Sequence, residues 1–145
     1  MSQKIAVFAA SWHEGIVKSA QDGFVEAFSG DDVQVDVYKV PGSLEIPLAG
    51  QKALQNGYDV AVGIGFVTDG KIYHREFVAH TVVQSILDAS LATGKPFLSV
   101  VLAPQNFEEG NADDEKWFTE HMYGKGVEAA MAAKQMLDLL PSVKA

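Results

Sequence analysis

Apolar residues along the chain fall into two alternating kinds of pattern. Continuous or alternating apolar runs at residues 4–10, 33–37, 60–67 and 97–103 predict four β-strands. Apolar residues with helical spacing between and after these runs predict four helices. The intervals between strands are long enough for helical crossovers, so the strands are predicted to be parallel. The pattern therefore indicates an α/β protein with a four-stranded parallel sheet packed between helices.

The order of apolar and polar residues within each run predicts whether the strand is in the interior or at the edge of the sheet. Residues 60–67 are apolar at nearly every position, as in a strand covered on both faces, and residues 97–103 are also predicted to be an interior strand. Residues 33–37 alternate apolar and polar, which predicts a half-exposed edge strand.

Three helices show apolar stripes. The stripe of the first helix is Ile16, Ala20, Phe24 and Phe28. The third helix is predicted to end at Gly94, before Pro96, and its stripe is Val78, Val82, Ile86 and Ala89. The last helix is predicted to begin after residues 124–126 and to carry Val127, Met131, Leu137 and Leu140. The acidic stretch 105–120 is predicted to be irregular.

Composition narrows the class of protein. With 145 residues, 48% of them hydrophobic, the chain fits one domain spanning residues 1–145. It has no cysteine, which excludes disulfides, thiolate zinc sites and cysteine nucleophiles. We expect a cytoplasmic protein, because no signal-peptide pattern is present and no apolar stretch approaches the ~20 residues that span a bilayer. The net charge of −8 favours small-molecule or protein partners over nucleic acid.

Unusual segments follow the first three strands. They are residues 11–13, residues 41–45 and residues 66–74. Parallel strands bring their carboxyl ends to one edge of the sheet, where ligands of such folds bind. Trp12 could stack on a heteroaromatic ring, Glu45 could accept hydrogen bonds from hydroxyls, and His74 could transfer protons. Each residue also has a purely structural interpretation: Trp12 as packing, Glu45 as a favourable charge at a helix start, and His74 as a loop residue.

Other ligand motifs are absent or ambiguous. Residues 124–126, Gly-Lys-Gly, fit either a phosphate site at a helix N-terminus or a plain helix start. Gly63 and Gly65 begin a G-x-G, but Thr68 stands where the dinucleotide fingerprint needs its third glycine. No Walker A sequence occurs, the four histidines do not have the spacing of a metal site, and the first strand lacks the carboxylates of a phospho-receiver.

Three ordered segments together resemble the lumazine synthases. They are VPGSLEIPLA at residues 40–49, GFVTDGKIYHREFV at 65–78 and GKGVEAAMAA at 124–133. The resemblance implies a flavodoxin-like, three-layer αβα sandwich. It also implies a cofactor-independent condensation of 5-amino-6-(D-ribitylamino)uracil with 3,4-dihydroxy-2-butanone 4-phosphate, giving 6,7-dimethyl-8-ribityllumazine in riboflavin biosynthesis.

The same resemblance assigns roles to individual residues. Trp12 would stack on the pyrimidine, and His74 would transfer protons. Lys71 and Ile72 would lie beside the phosphate. The residues that would hold the ribityl chain or line the ring pocket are Ser43, Leu44, Glu45, Phe66, Val67 and Thr68. No metal is implied.

Some positions depart from the family pattern. Trp117 stands where most members place a phosphate-binding arginine, and Ser99 stands where a neighbouring subunit commonly contributes a phenylalanine. The loop 105–120 is also a few residues longer than usual. These features resemble the divergent second type of lumazine synthase found in some bacteria. His121, Lys125 and, as a further possibility, Arg75 are candidates for the missing cation.

The resemblance also implies assembly, because family sites lie between subunits of a pentamer. Only residues 1–3 precede the first predicted strand, which disfavours a sixty-subunit shell, and we expect a decamer of two pentamers or a lone pentamer. Two alternatives to a synthase stay open. One is a riboflavin- or lumazine-binding oligomer on the same scaffold, favoured by Trp117. The other is an unrelated flavodoxin-like regulator, for which fold alone is no argument.

Overall fold

The computed structural model describes residues 2–143, and the predicted domain limits at residues 1 and 145 lie outside this range. Strands and helices alternate along the chain. The strands are β1 (Gln3–Ala10), β2 (Val33–Val40), β3 (Val60–Phe66) and β4 (Phe97–Leu102). The helices are α1 (Glu14–Ala27), α2 (Ile46–Gln55), α3 (Arg75–Thr93) and α4 (Ala112–Leu139). Short 3₁₀ turns cover Ser43–Glu45 and Leu140–Ser142.

The four strands form one parallel sheet in the order β2-β1-β3-β4. Successive residues of a strand point to opposite faces, so each face has its own apolar core. On one face, Ile5, Val7 and Val62 pack with residues of α1 and α4. On the other, Ala6 and Ala61 pack with residues of α2 and α3. The prediction of a three-layer αβα sandwich with a four-stranded parallel sheet is confirmed.

The edges of the sheet correct one prediction. β2 lies at one edge, as its alternating pattern indicated. β4 was predicted to be interior but forms the opposite edge. Its residues Phe97, Val100 and Val101 are buried nonetheless, because helices cover both faces of the sheet there. An apolar run along a strand therefore indicates that helices cover both faces of the sheet at that strand. It does not indicate that the strand has a neighbouring strand on each side.

The last helix begins earlier than predicted. α4 starts at Ala112, and the side chain of its N-cap residue, Asn111, accepts a hydrogen bond of 3.1 Å from the backbone N–H of Asp114. Most of the stretch predicted to be irregular is therefore helical. Three of its acidic residues, Asp113, Asp114 and Glu115, lie in the first turn of α4, where negative charge interacts favourably with the free N–H groups. Among residues 2–143, no helix has the length and apolarity required to traverse a bilayer.

The glycines of the segment 124–126 also have a different role from the predicted helix start. Both lie inside α4. A Cβ atom added to Gly126 would lie 2.0 Å from the carbonyl oxygen of Ala20 on α1. A Cβ atom added to Gly23 would lie 2.2 Å from the carbonyl oxygen of Tyr123 on α4. Gly23 and Gly126 therefore let the two helices pack backbone against backbone, and the phosphate site at a helix N-terminus is wrong for this segment.

Candidate active site

A cleft of about 650 Å³ lies at the carboxyl edge of the sheet. This volume falls in the usual range for small-molecule sites. Nine of the predicted substrate-binding residues line it: Trp12, Ser43, Leu44, Glu45, Phe66, Val67, Thr68, Lys71 and Ile72. The parallel topology brings them together, because the loops after β1, β2 and β3 all leave the sheet at this edge.

One wall of the cleft is built around Trp12, whose side chain is 71% exposed. An indole this exposed adds little to the core and leaves a flat apolar face free for a ligand. A Cβ atom at Gly42 would lie 3.6 Å from Trp12 Cδ1 and 3.2 Å from Glu45 Oε1. The indole and the Glu45 carboxylate therefore lie on either side of Gly42. The indole offers a stacking surface, and the carboxylate can accept hydrogen bonds from hydroxyl groups.

The floor of the cleft explains the G-x-G of β3. A Cβ atom at Gly65 would meet Ser43 Oγ at 2.3 Å, and one at Gly63 would meet Ile46 Cγ2 at 2.4 Å. These glycines make room for the start of the 3₁₀ turn and α2 to lie on the sheet. The two glycines therefore let Ser43 lie against β3. This close packing accounts for the motif without a dinucleotide site.

His13 is a cleft residue that sequence reasoning did not single out. It is the N-cap of α1 and, within residues 2–143, the one non-glycine residue with positive φ (52°). Its Nε2 lies 3.2 Å from Thr68 Oγ1, and its ring packs edge-on against Phe66 and Phe107, with centroids 5.4 and 5.7 Å away. His13 thus ties the loop after β1 to the loop after β3, and no residue pattern signals its left-handed backbone.

His74 directly follows the cleft-lining residue Tyr73 and is the N-cap of α3, but it is not itself among the residues that line the cleft. Its Nδ1 accepts from the backbone N–H of Glu76 at 3.4 Å. Its Nε2 is 3.6 Å from Asp69 Oδ1 and 3.4 Å from Arg75 Nη1. The imidazole is 56% exposed, so a ligand in the cleft could reach it.

Asp69 holds a charge beside His74. The backbone N–H of Arg75 donates to its Oδ1 at 2.8 Å, and Arg75 Nη1 donates to its Oδ2 at 3.0 Å. The hydrogen bond from the Arg75 backbone, followed by the charges of His74 and Arg75, lowers the pKa of Asp69 below its ordinary value. Asp69 is therefore ionised near neutral pH. The guanidinium of Arg75, a candidate for the phosphate cation, is already engaged with this carboxylate.

The remaining predicted residues lie outside this cleft of the single chain: Ser99, His121 and Lys125. Ser99 is exposed on β4 and its Oγ accepts from the backbone N–H of Val101 at 3.3 Å. Lys125 Nζ lies 3.1 Å from Glu128 Oε2. The structure does not bring these residues to the residues around Trp12.

His121 lines a second cavity, of about 460 Å³, with Trp117. The two rings stack with centroids 4.8 Å apart and planes 12° apart. Phe118 joins this pair to Phe66 beneath the first cleft, with centroid distances of 4.8 Å to Trp117 and 5.2 Å to Phe66. One aromatic cluster thus separates the two cavities. In the described part of the chain, no group of three or more histidine, aspartate and glutamate side chains converges as a metal site requires.

The fold and the cleft define a class: α/β proteins that bind a small molecule at the carboxyl ends of parallel strands. Comparison with known proteins gives the family. A family model described as 6,7-dimethyl-8-ribityllumazine synthase matches residues 2–141.

Individual relatives agree with this match. The chain is 40% identical over 134 residues to a 6,7-dimethyl-8-ribityllumazine synthase of Rhodococcus erythropolis, covering 90% of this chain and 86% of that protein. It is 42% identical over 137 residues to 6,7-dimethyl-8-ribityllumazine synthase 2 of Bradyrhizobium diazoefficiens, covering 93% and 82%. The chain belongs to the 6,7-dimethyl-8-ribityllumazine synthase family, whose members are transferases of riboflavin biosynthesis. The predicted family, fold and enzyme class are confirmed.

Proposed function

We propose that the protein condenses 5-amino-6-(D-ribitylamino)uracil with 3,4-dihydroxy-2-butanone 4-phosphate to form 6,7-dimethyl-8-ribityllumazine, phosphate and water. The observation that carries this proposal is the convergence of nine predicted substrate residues on one cleft, with His74 directly after its lining residue Tyr73. An amine attacks the ketone and releases one water to form an imine, the imine loses phosphate, and ring closure onto the remaining carbonyl expels a second water. Protons move at several steps, and an imidazole side chain can serve as both acid and base.

The geometry supports a role for each wall of the cleft. Trp12 stacks on the pyrimidine with its exposed face, while Glu45 accepts hydrogen bonds from the ribityl hydroxyls. Lys71 and Ile72 lie in the loop that leads to His74, so a phosphate bound there is close to the proton-transfer group. Holding two small molecules in reacting orientation supplies much of the remaining rate.

Self-association completes the site in this proposal. Several large apolar side chains on the outer helices and loops are exposed, including Leu48 (77%), Ile72 (86%), Phe77 (62%) and Leu91 (82%). Exposed apolar surface of this kind favours association. We propose a pentamer, or a decamer of two pentamers, in which Ser99, His121 and Lys125 of one copy face the cleft of the next, and we place the enzyme in the cytoplasm. Sedimentation equilibrium tests the assembly, and a monomer that retains full activity would contradict it.

His74 is tested by substitution with glutamine, which keeps a polar side chain but cannot carry the charge. His80 lies six residues further along α3 and is exposed, so His80→Gln is the matched control. We expect His74→Gln to lower turnover about 100-fold, since general acid–base catalysis contributes on this scale, and to lower the melting temperature by only a few degrees through loss of the N-cap hydrogen bond to Glu76. Equal turnover in the two variants would remove His74 from the mechanism.

One observation favours a second function, binding of riboflavin or a lumazine with little synthesis. Trp117 stacks on His121 where most of the family is expected to have a phosphate-binding arginine. Riboflavin binding measured by fluorescence quenching, combined with lumazine formation no faster than the uncatalysed reaction, would support this function over the synthase.

A further inference from the structure

The carboxylate of Asp69 is fixed before any ligand binds. Arg75 donates to both of its oxygens, from the backbone N–H to Oδ1 at 2.8 Å and from Nη1 to Oδ2 at 3.0 Å. The Arg75 side chain is only 15% exposed, so this clamp is partly shielded from water. Asp69 is therefore a rigid negative group within the cleft wall.

Both nitrogens of the His74 ring have neighbours in fixed positions. The backbone N–H of Glu76 donates to Nδ1 at 3.4 Å. Nε2 lies 3.6 Å from Asp69 Oδ1, which can only accept a hydrogen bond, and 3.4 Å from Arg75 Nη1, which can only donate one. The Asp69–Arg75 pair therefore lies against Nε2 on one side of the ring.

We propose that Asp69, held by Arg75, is a positioning residue for His74: the carboxylate beside Nε2 keeps the imidazole in the orientation used for proton transfer. The inference rests on the proposed function, because it deepens the role of His74 in the condensation. It gives the exposed histidine the third group that catalytic bases need, one that fixes the orientation of the ring.

The charges that face the imidazole decide the expected pH effects. Asp69 and Arg75 lie nearest, Glu76 pairs with Arg75 Nη2 at 3.8 Å, and Lys71 and Glu45 line the adjoining cleft. Removing the Asp69 charge leaves the Arg75 cation beside the ring and disfavours the protonated imidazole. Removing the Arg75 charge leaves the Asp69 carboxylate beside the ring and favours the protonated imidazole.

The test compares Asp69→Asn with Arg75→Gln in steady-state synthesis of the lumazine across pH. We expect each variant to lower kcat about tenfold with less than a threefold change in KM, because orientation of the acid–base group is lost but the binding walls remain. The pH midpoint assigned to His74 should move down by about half a unit in Asp69→Asn and up by a similar amount in Arg75→Gln. Opposite shifts are a signature that a loosened loop would not produce.

Asp32→Asn is the matched control, since Asp32 lies before β2 at the opposite edge of the sheet. It should leave kcat and the pH profile unchanged. Unaltered kcat and pH midpoints in Asp69→Asn, or shifts of the same sign in both variants, would overturn the proposal.

Nuclear magnetic resonance separates this inference from the function on which it rests. The ring nitrogens of His74 in the ¹⁵N-labelled protein report the tautomer and the titration directly, without any turnover. If the native protein makes no lumazine, the proposed function fails, and the ring signals still decide the inference. Ring titration midpoints that move down in Asp69→Asn and up in Arg75→Gln support the positioning role, and midpoints that stay at the native value in both variants contradict it.

Discussion

Replacing Gly126 by alanine tests the close packing of α1 and α4. A Cβ atom at Gly126 would lie 2.0 Å from the Ala20 carbonyl oxygen, 2.8 Å from its carbon and 2.9 Å from the Phe24 nitrogen. All three are backbone atoms, so no side chain can rotate away and the helices must separate by about 1 Å or more, which overpacks the core at a cost of about 3 kcal/mol. Alanine also gains about 1 kcal/mol in helix propensity over glycine.

The net expectation is a loss of about 2 kcal/mol, or a melting temperature lower by roughly 4–8 °C for a chain of this size. Gly124→Ala is the matched control, because a Cβ atom at Gly124 meets nothing within 4 Å. It should raise stability by up to about 1 kcal/mol. Thermal unfolding followed by circular dichroism, at one protein concentration for all variants, gives both values. Equal melting temperatures for the two variants would refute the packing argument.

Three further changes have defined outcomes. Tyr58 donates to Asp36 Oδ2 at 2.6 Å, and this hydrogen bond lowers the pKa of Asp36. A lowered carboxylate pKa stabilises the fold above the unfolded-state value near 3.9 and loses this effect as pH falls through the folded-state value. Tyr58→Phe should therefore cost about 1 kcal/mol in urea unfolding at pH 7 and less near pH 3, and a pH-independent cost would contradict the linkage. Thr68→Val removes the hydroxyl 3.2 Å from His13 Nε2. We expect the loss of this contact to loosen the cleft wall and raise the KM for the pyrimidine about threefold in steady-state kinetics. Unchanged kinetics would show that His13 does not hold the wall through Thr68. Lys125→Gln should raise the KM for the butanone phosphate about tenfold if a neighbouring copy's Lys125 contacts the phosphate, and an unchanged KM would exclude it.

The sequence predicted most of the fold because the patterns of three elements, β3, α1 and α3, reported burial. The stripe predicted for the last helix did not, since Met131 and Leu140 are exposed and α4 is buried along Met122, Gly126, Ala130 and Ala133. The unbroken apolar run of β3 and the four-residue spacing of α1 and α3 correspond to buried residues in the structure. β4 was misplaced as interior because an apolar strand only records that its faces are covered. The start of α4 was missed because an acidic first turn has no apolar stripe to mark it.

The sequence also predicted most of the residues that line the cleft on the loops after β1, β2 and β3. Topology alone places the ends of β1, β2 and β3 at one edge, and nine predicted residues line the resulting cavity. The Gly126 contact and the left-handed backbone of His13 were beyond reach, because both depend on how distant segments approach each other. The clamp of Arg75 on Asp69 also depends on the loop conformation, although an aspartate five residues before His74 was visible in the sequence.

Synthesis of 6,7-dimethyl-8-ribityllumazine at the cleft around Trp12 and His74 can be followed by the optical rate of lumazine formation from the two substrates. The assembled protein is compared with the same mixture without protein. We expect a rate well above that of the protein-free mixture, saturating in the butanone phosphate. An equal rate, from correctly assembled oligomer, would show that the protein does not catalyse this condensation.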